Sequence, residues 1–371
     1  MELATLAERH GSFYVPAFEV RVDGQALTET RRAAVSQVEV DLALNAAGRF
    51  SFTVVNAYDD KKHAFLSDLG QPLLEQLRFG SKVEIAVGYG DHAGLTTLLN
   101  GVITEITTGF AEGGSPDLSV AGYDQLFPMT LGKRSRNWKK QADSDIVNLI
   151  AKEYKLNADI QTTKANLEQT EQNQESDFEF LKKLAGRNHF EFYVSAERNG
   201  RSTLRFGKPR DESSAVVTLK WGAGLLSFKP EANLAAQVSS VEVYGWDDQK
   251  KERIVGRATA GEESGKDPQR KTAGQLMQAA FAKSPVLQVR QPVFTEDEAR
   301  RRAQAILNDH AKKFLTGDAE CVGLPELRPD RNIELANLGD TFSKTYYISQ
   351  TIHKVDGSGY RTRVKVKETS L

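Results

Sequence analysis

The feature that most restricts this chain is a period of two that appears near both ends. "NGVITEITTGFAEGGSPDLSVAGYD" and "KTYYISQTIHKVDGSGYRTRVKVK" are each an alternating strand, a glycine-rich turn and a second alternating strand. Alternation sends successive side chains to opposite faces, so each block must lie in a sheet with one face covered. The shared pattern is compatible with a duplicated barrel. It is equally compatible with two unrelated hairpins, since any antiparallel protein contains such pairs.

The rest of the first third reads the same way. "YVPAFEVRVDG" ends on the turn pair Asp23-Gly24, and "VSQVEVDLAL" follows. "GRFSFTVVNAY" puts Phe50, Phe52 and Val54 on one face, and "KVEIAVGYG" does so with Val83, Ile85 and Val87. The intervening "HAFLSDLGQPLLEQLRFG" reads as a short helix or loop. Short strands separated by turn signals predict a small antiparallel barrel or sandwich over 1–130.

At "GKRSRNWKKQADSDIVNLIAKEYKL" the period lengthens. Asp143 or Ser144 is expected to cap a helix with a stripe of Ile146, Leu149 and Ile150. After the polar run "QTTKANLEQTEQNQESD", Ser176 and Glu179 have the spacing of a capping box. Phe178, Leu181, Leu184 and Ala185 form the next stripe, and Gly186 is its expected stop. Phe190, Phe192 and Val194 alternate on a strand that pairs with "STLRFGKP" across the Arg198-Asn199-Gly200 turn. These residues, 131–214, predict a compact α/β insert. From 215 to 371 the pattern is largely β again, with a Thr295-capped helix over 295–315, acidic at its start and basic toward its end. "GRATAGEESGKDPQRKTAGQ" is poor in apolar residues and is expected to be a mobile loop. The predicted fold class is mainly β with a small α/β domain; two similar antiparallel, tube-like β-barrel domains are one of the two arrangements the pattern leaves open.

Composition bounds the function. The 371 residues carry 49 basic and 50 acidic side chains, a net charge of −1, so no global field draws the chain to nucleic acid or an anionic membrane. No window approaches the roughly 18 apolar residues of a membrane span, and the start, "MELATLAERHGSFYVPAFEV", lacks the charged and apolar regions of a secretory signal. A single cysteine, Cys321, excludes an intrachain disulfide and fits a reducing compartment, so synthesis in a cytoplasm is expected.

Catalytic patterns are missing. His10, His63, His92, His189, His310 and His353 form no metal-ligand spacing, and one cysteine cannot complete a zinc site. "GEESGK", Gly261–Lys266, is one residue short of a phosphate loop and carries Asp267 where Ser or Thr is needed. A solvated loop is the reading adopted there, and His353, mid-strand, is read as structural. No residue is assigned as catalytic, cofactor-binding or metal-binding, and no cofactor is expected. The one candidate interaction segment is Lys133, Arg134, Arg136, Trp138, Lys139 and Lys140, cations around a tryptophan. It is either an anion-binding patch or a linker between domains with Trp138 packed at the joint.

Five stretches, in order, resemble the hub proteins of contractile phage tails and related injection systems, the late control gene D and VgrG-like family. They are "KVEIAVGYGD…LLNGVITEITTGF…PDLSVAGYDQL", "RSRNWKKQADSDIVNLIAKEYKL", the "QESDFEFL" helix with its strand "FYV", "LLSFKPEANLAAQVSSVEVYGWDDQKKERIVG" and "LGDTFSKTYYISQTIHKVDGSGYRTRVKV". The resemblance implies a non-enzymatic structural role in a phage tail or tail-like particle. It implies a homotrimer whose six barrels match a hexameric inner tube at one end and a trimeric spike at the other. VgrG-type members continue into an OB-fold and a β-helical spike, whereas this sequence ends soon after "GSGYRTRV". The resemblance therefore implies a separate spike protein, with baseplate wedge or tape-measure proteins as further partners. Nucleic acid is not expected as a partner. Two other readings stay open: a particle-associated cell-wall or glycan hydrolase using two carboxylates, and a nucleic-acid or anionic-surface binding module using the Lys133–Lys140 segment.

Overall fold

The computed structural model describes residues 2–28, 33–91, 94–163, 169–247, 250–281, 285–293 and 295–371. His92 and the middle of the polar run, 164–168, lie outside the described residues. The chain forms two six-stranded β-barrels joined through one continuous sheet, an α/β unit between them in sequence, and a further module inserted in the second barrel.

The strands of the first barrel are, in chain order, Pro16–Val22, Ala34–Ala43, Arg49–Val55, Lys82–Tyr89, Thr96–Thr108 and Leu118–Asp124. Those of the second are Ala215–Trp221, Gly224–Ala232, Leu315–Val322, Asn332–Ala336, Lys344–Asp356 and Gly359–Glu368. Counted from one to six, the spatial order is 1-4-5-6-3-2 in both. The irregularities match as well. The ladder between second and third strands slips between Val35 and Gln37 in the first barrel and between Leu225 and Ser227 in the second. The ladder between fifth and sixth slips between Ile103 and Glu105, and between Ile348 and Gln350. A bulge is a specific local kink, so two coincident bulges at equivalent places mark one architecture used twice.

The barrels differ in closure. The second closes on itself through hydrogen-bonded neighbours, with its first strand running parallel to both flanking strands. In the first, the connection between the first two strands bridges the gap, Leu27 N donating to Val20 O at 2.8 Å and Ala33 N to Leu27 O at 3.1 Å. The second strand of the first barrel instead pairs with the fifth strand of the second, Val38 opposite Val355 and Leu42 opposite Thr351. Val355 and Tyr360 consequently sit in the first barrel's core with Val38, Val40, Phe50 and Phe52. The N-terminal helix Leu3–Arg9 crosses the other way and buries Leu6 in the second barrel's core.

The α/β unit is built as its local signals require. Ser176 and Glu179 form the capping box reciprocally. The helix runs past Gly186 to Asn188 and ends on His189 in the left-handed region, so Gly186 is not the stop. Its buried face is Phe180, Leu181, Leu184 and Ala185; Phe178 is only partly covered and meets the Phe192 ring edge-on at 5.5 Å. The preceding helix spans Asp143–Glu153, with Ala142 rather than Asp143 or Ser144 at the cap, and Leu149 is 40% exposed while Val147 takes its place inside.

Of the expected loop at 256–275, residues 260–271 are turns and irregular chain, and the two ends belong to regular elements. Glu252–Thr259 is a strand, and Thr272 caps a helix over Ala273–Ala280 with its own capping box. The strand belongs to a three-stranded sheet with Ser240–Asp247 and Val286–Arg290, packed against the helix Glu296–Ala311 around a separate core. Gly256 is where helix and strand meet: a Cβ there would lie 2.1 Å from the Ala299 backbone. Only glycine permits that approach.

Candidate interaction wall

Eight strands form the surface that the two barrels make together. In spatial order they are Thr96–Thr108, Leu118–Asp124, Arg49–Val55, Ala34–Ala43, Lys344–Asp356, Gly359–Glu368, Leu315–Val322 and Gly224–Ala232. Seven antiparallel ladders connect them without a break. Alternation divides the wall: Val38, Val40, Phe50, Phe52, Val120, Val364 and Val366 point into the cores, and polar residues point the other way.

That polar face is cross-linked laterally. Arg49 Nη2 donates to Glu105 Oε2 at 3.1 Å, and Gln350 Nε2 to Asp41 Oδ1 at 2.7 Å across the joint between barrels. Arg361 and Arg363 both reach Glu320, at 2.9 and 3.2 Å, and hold its carboxyl below the usual range. Pairs at this exposure contribute little stability each, and they leave a face that is wet, charged in both signs and close to neutral.

The Lys133–Lys140 segment lies elsewhere, on the α/β unit. Arg134–Lys139 is a strand paired with Gln169–Glu175, a stretch whose polarity hides its strand character. Arg134 and Arg136 converge on Asp177, whose side chain is fully buried, and on Glu153. Tyr154 and Gln172 also donate to Asp177, at 2.7 and 2.8 Å. Arg136 covers the Trp138 ring at 5.2 Å, and Trp138 packs against the unit's core. The two arginines and the tryptophan thus come together as one network, while Lys133 and Lys139 lie exposed beside it.

Two further places carry ionisable groups. A cleft of about 490 Å³ is lined by Asp211, Lys312, Lys344, Lys367 and Glu368. Burial pushes Lys344 down to about 8, yet its Nζ donates to Ser370 O at 2.8 Å. Glu368 accepts from Thr369 N, Ser370 N and Ser370 Oγ, so the chain's last residues occupy these groups. His353 is buried, its Nε2 donating to Leu327 O at 2.9 Å and its Nδ1 accepting from Tyr360 at 2.8 Å. Among the described residues no three His, Cys, Asp or Glu side chains are grouped to hold a metal ion. No described helix is long and apolar enough to cross a membrane.

Several solved structures share the architecture. A 43 kDa tail protein of prophage MuSo2 from Shewanella oneidensis superposes with a TM-score of 0.69 at 13% identity, covering 95% of this chain and 98% of that one. A tail protein from Neisseria meningitidis gives 0.67 at 14% identity, covering 96% and 97%. An E. coli component of the type VI secretion system gives 0.56 at 12%, covering 95% and 77%. At such identities the likeness establishes the fold, which is that of phage tail proteins. No curated protein matches the sequence. The sequence model described as the Alg8 N-terminal domain matches residues 13–357, and the chain belongs to that family.

Proposed function

We propose that this chain is a structural baseplate hub, a homotrimer that adapts a sixfold inner tube to a threefold spike in a phage tail or injection system. The observation that carries this reading is the identical strand order of the two barrels, down to their bulges. Three chains with two equivalent barrels present six similar units to one partner, while the unduplicated parts remain threefold for the other. Three eight-stranded walls placed edge to edge, at a spacing of about 4.8 Å per strand, enclose a channel roughly 37 Å across. The proposed domains are 1–130, 131–214 and 215–371, the partners an inner tube protein and a separate spike protein, with wedge or tape-measure proteins beside them. The role is non-enzymatic. In this reading Arg134, Arg136 and Trp138 hold the α/β unit together through Asp177 rather than capture an anion.

Light scattering on the purified chain tests the assembly. The expected mass is three times the 41.0 kDa of one chain. A species that stays monomeric at tens of micromolar overturns the reading.

A further inference from the structure

Among the described residues the wall ends in two strand edges with no strand paired along them. At one end, Thr96–Thr108 pairs with the fourth strand only as far as Val102, and among the described residues no strand lies on that edge beyond Ile103. At the other, Gly224–Ala232 meets the first strand of its barrel only at Gly224 and Leu225, leaving the same edge open to Ala232. Open strand edges pair with other chains unless they are protected. Pro230 supplies some protection by removing one donor.

These edges are the counterparts of the two strands that meet inside the chain. Aligning the bulges puts Phe110 where Val355 stands in the other barrel, and Phe228 where Val38 stands. At the internal joint Val355 and Val38 face each other and are 3% and 1% exposed. Thr351, His353, Val40 and Leu42, on the same side, are buried as well. At the open ends Phe110 is 66% exposed, Thr108 and Ala232 are exposed and Phe228 is half-buried. Phe110, although its ring touches Tyr58 and Phe65, thus stays mostly exposed, and Phe228, packed edge-on against Tyr346, is only half-covered, at positions the same architecture buries fully elsewhere.

From this we infer that the open edge at Glu105–Phe110 of one chain pairs antiparallel with the open edge at Phe228–Asn233 of a second copy, in the register of the internal joint. Gln350–Ala43 translates to Glu105–Asn233, Ile352–Asp41 to Thr107–Glu231, and Val355–Val38 to Phe110–Phe228. The contact is head-to-tail, so with a threefold rotation between copies repetition closes a ring and makes the wall continuous from copy to copy. This rests on the self-assembly proposed above and adds to it the strands, the direction and the register.

Cysteine cross-linking reads the register. Thr107→Cys with Glu231→Cys places two thiols directly across the new ladder, within the range a disulfide spans. Within one chain the two positions are separated by seven strand spacings, roughly 34 Å, so only an intercopy bond can form. The native Cys321 is buried and will not interfere. Oxidation is expected to give covalent dimers and closed trimers on a non-reducing gel. The control pair Glu105→Cys with Lys229→Cys, four residues out of register, is expected to give at most a tenth of that yield. Phe110→Asp, which also removes the ring contacts with Tyr58 and Phe65, is expected to weaken association at least tenfold while the chain stays folded by circular dichroism. A trimer by light scattering that cross-links equally well in the control pair, or in neither pair, overturns the register and leaves the hub reading intact. A monomer without cross-links overturns both.

Discussion

His353 shows how a single side chain records its surroundings. Burial, with Arg328 nearby, pushes its pKa down from 6.5 to about 3. The unfolded chain therefore binds a proton near pH 6.5 that the folded chain refuses until about pH 3, and stability is lost as pH falls across that window, by up to roughly 1.4 kcal/mol per pH unit. Asp124 acts in the opposite sense, since burial raises its carboxyl to about 7 and removes stability as pH rises toward neutrality. The contribution of His353 is best read as a difference. His353→Gln cannot titrate, and in urea denaturation the stability of wild type minus that of the variant should rise between pH 4 and 6.5 by about that slope and level off above it. The mid-strand position of His353 is enough to mark it as structural, but its partners Leu327 and Tyr360, 26 residues before it and 7 after it, are not legible in the sequence, because hydrogen-bond partners are set by the fold.

At the scale of elements, signals confined to a few consecutive residues were legible and those depending on a neighbour were not. The capping box at Ser176 closes within four residues, so its spelling suffices. The strand Gln169–Glu175 exists because Arg134–Lys139 pairs with it and because buried Gln172 and Asp177 satisfy one another's polar groups. Its apolar periodicity is nil. The same dependence explains why Phe180 rather than Phe178 is buried: what covers a helix decides its face. The two kinds of interaction should differ in cost. Ser176→Ala removes one cap and should destabilise by about 1 kcal/mol, whereas Asp177→Asn strips the charge that Arg134 and Arg136 share and should cost about 3 kcal/mol. Urea midpoints of the two variants, measured side by side, check the ratio.

For the whole molecule the joint between barrels is decisive. Val355 and Tyr360 belong to the second barrel by sequence and to the first by packing. The barrels should therefore unfold as one unit, and a cavity at the joint should be felt on both sides. Val355→Ala is expected to cost roughly 2 kcal/mol. Hydrogen exchange should report lost protection in both Ala34–Ala43 and Lys344–Asp356. Protection lost in only one of the two strands would mean that the joint is a loose contact. Two similar hairpins in the sequence are compatible with duplication, but the equivalence of all twelve strands is not legible there, since alternation alone does not select one strand pairing over another.

Alternation, turn residues and caps, all read locally, determined by themselves that the chain is mainly β, that an α/β unit interrupts it, and that helices start after Ser176 and Thr295. The tertiary structure alone decided which strands are neighbours, that 240–259 leaves the barrel for a sheet of its own, and that two barrels share one wall with an open edge at each end. The physical reason is range: backbone preference and periodicity act over a few residues, whereas pairing, burial and register are fixed between segments as far apart as Val38 and Val355, where many partners satisfy the same alternating pattern and only simultaneous packing selects one.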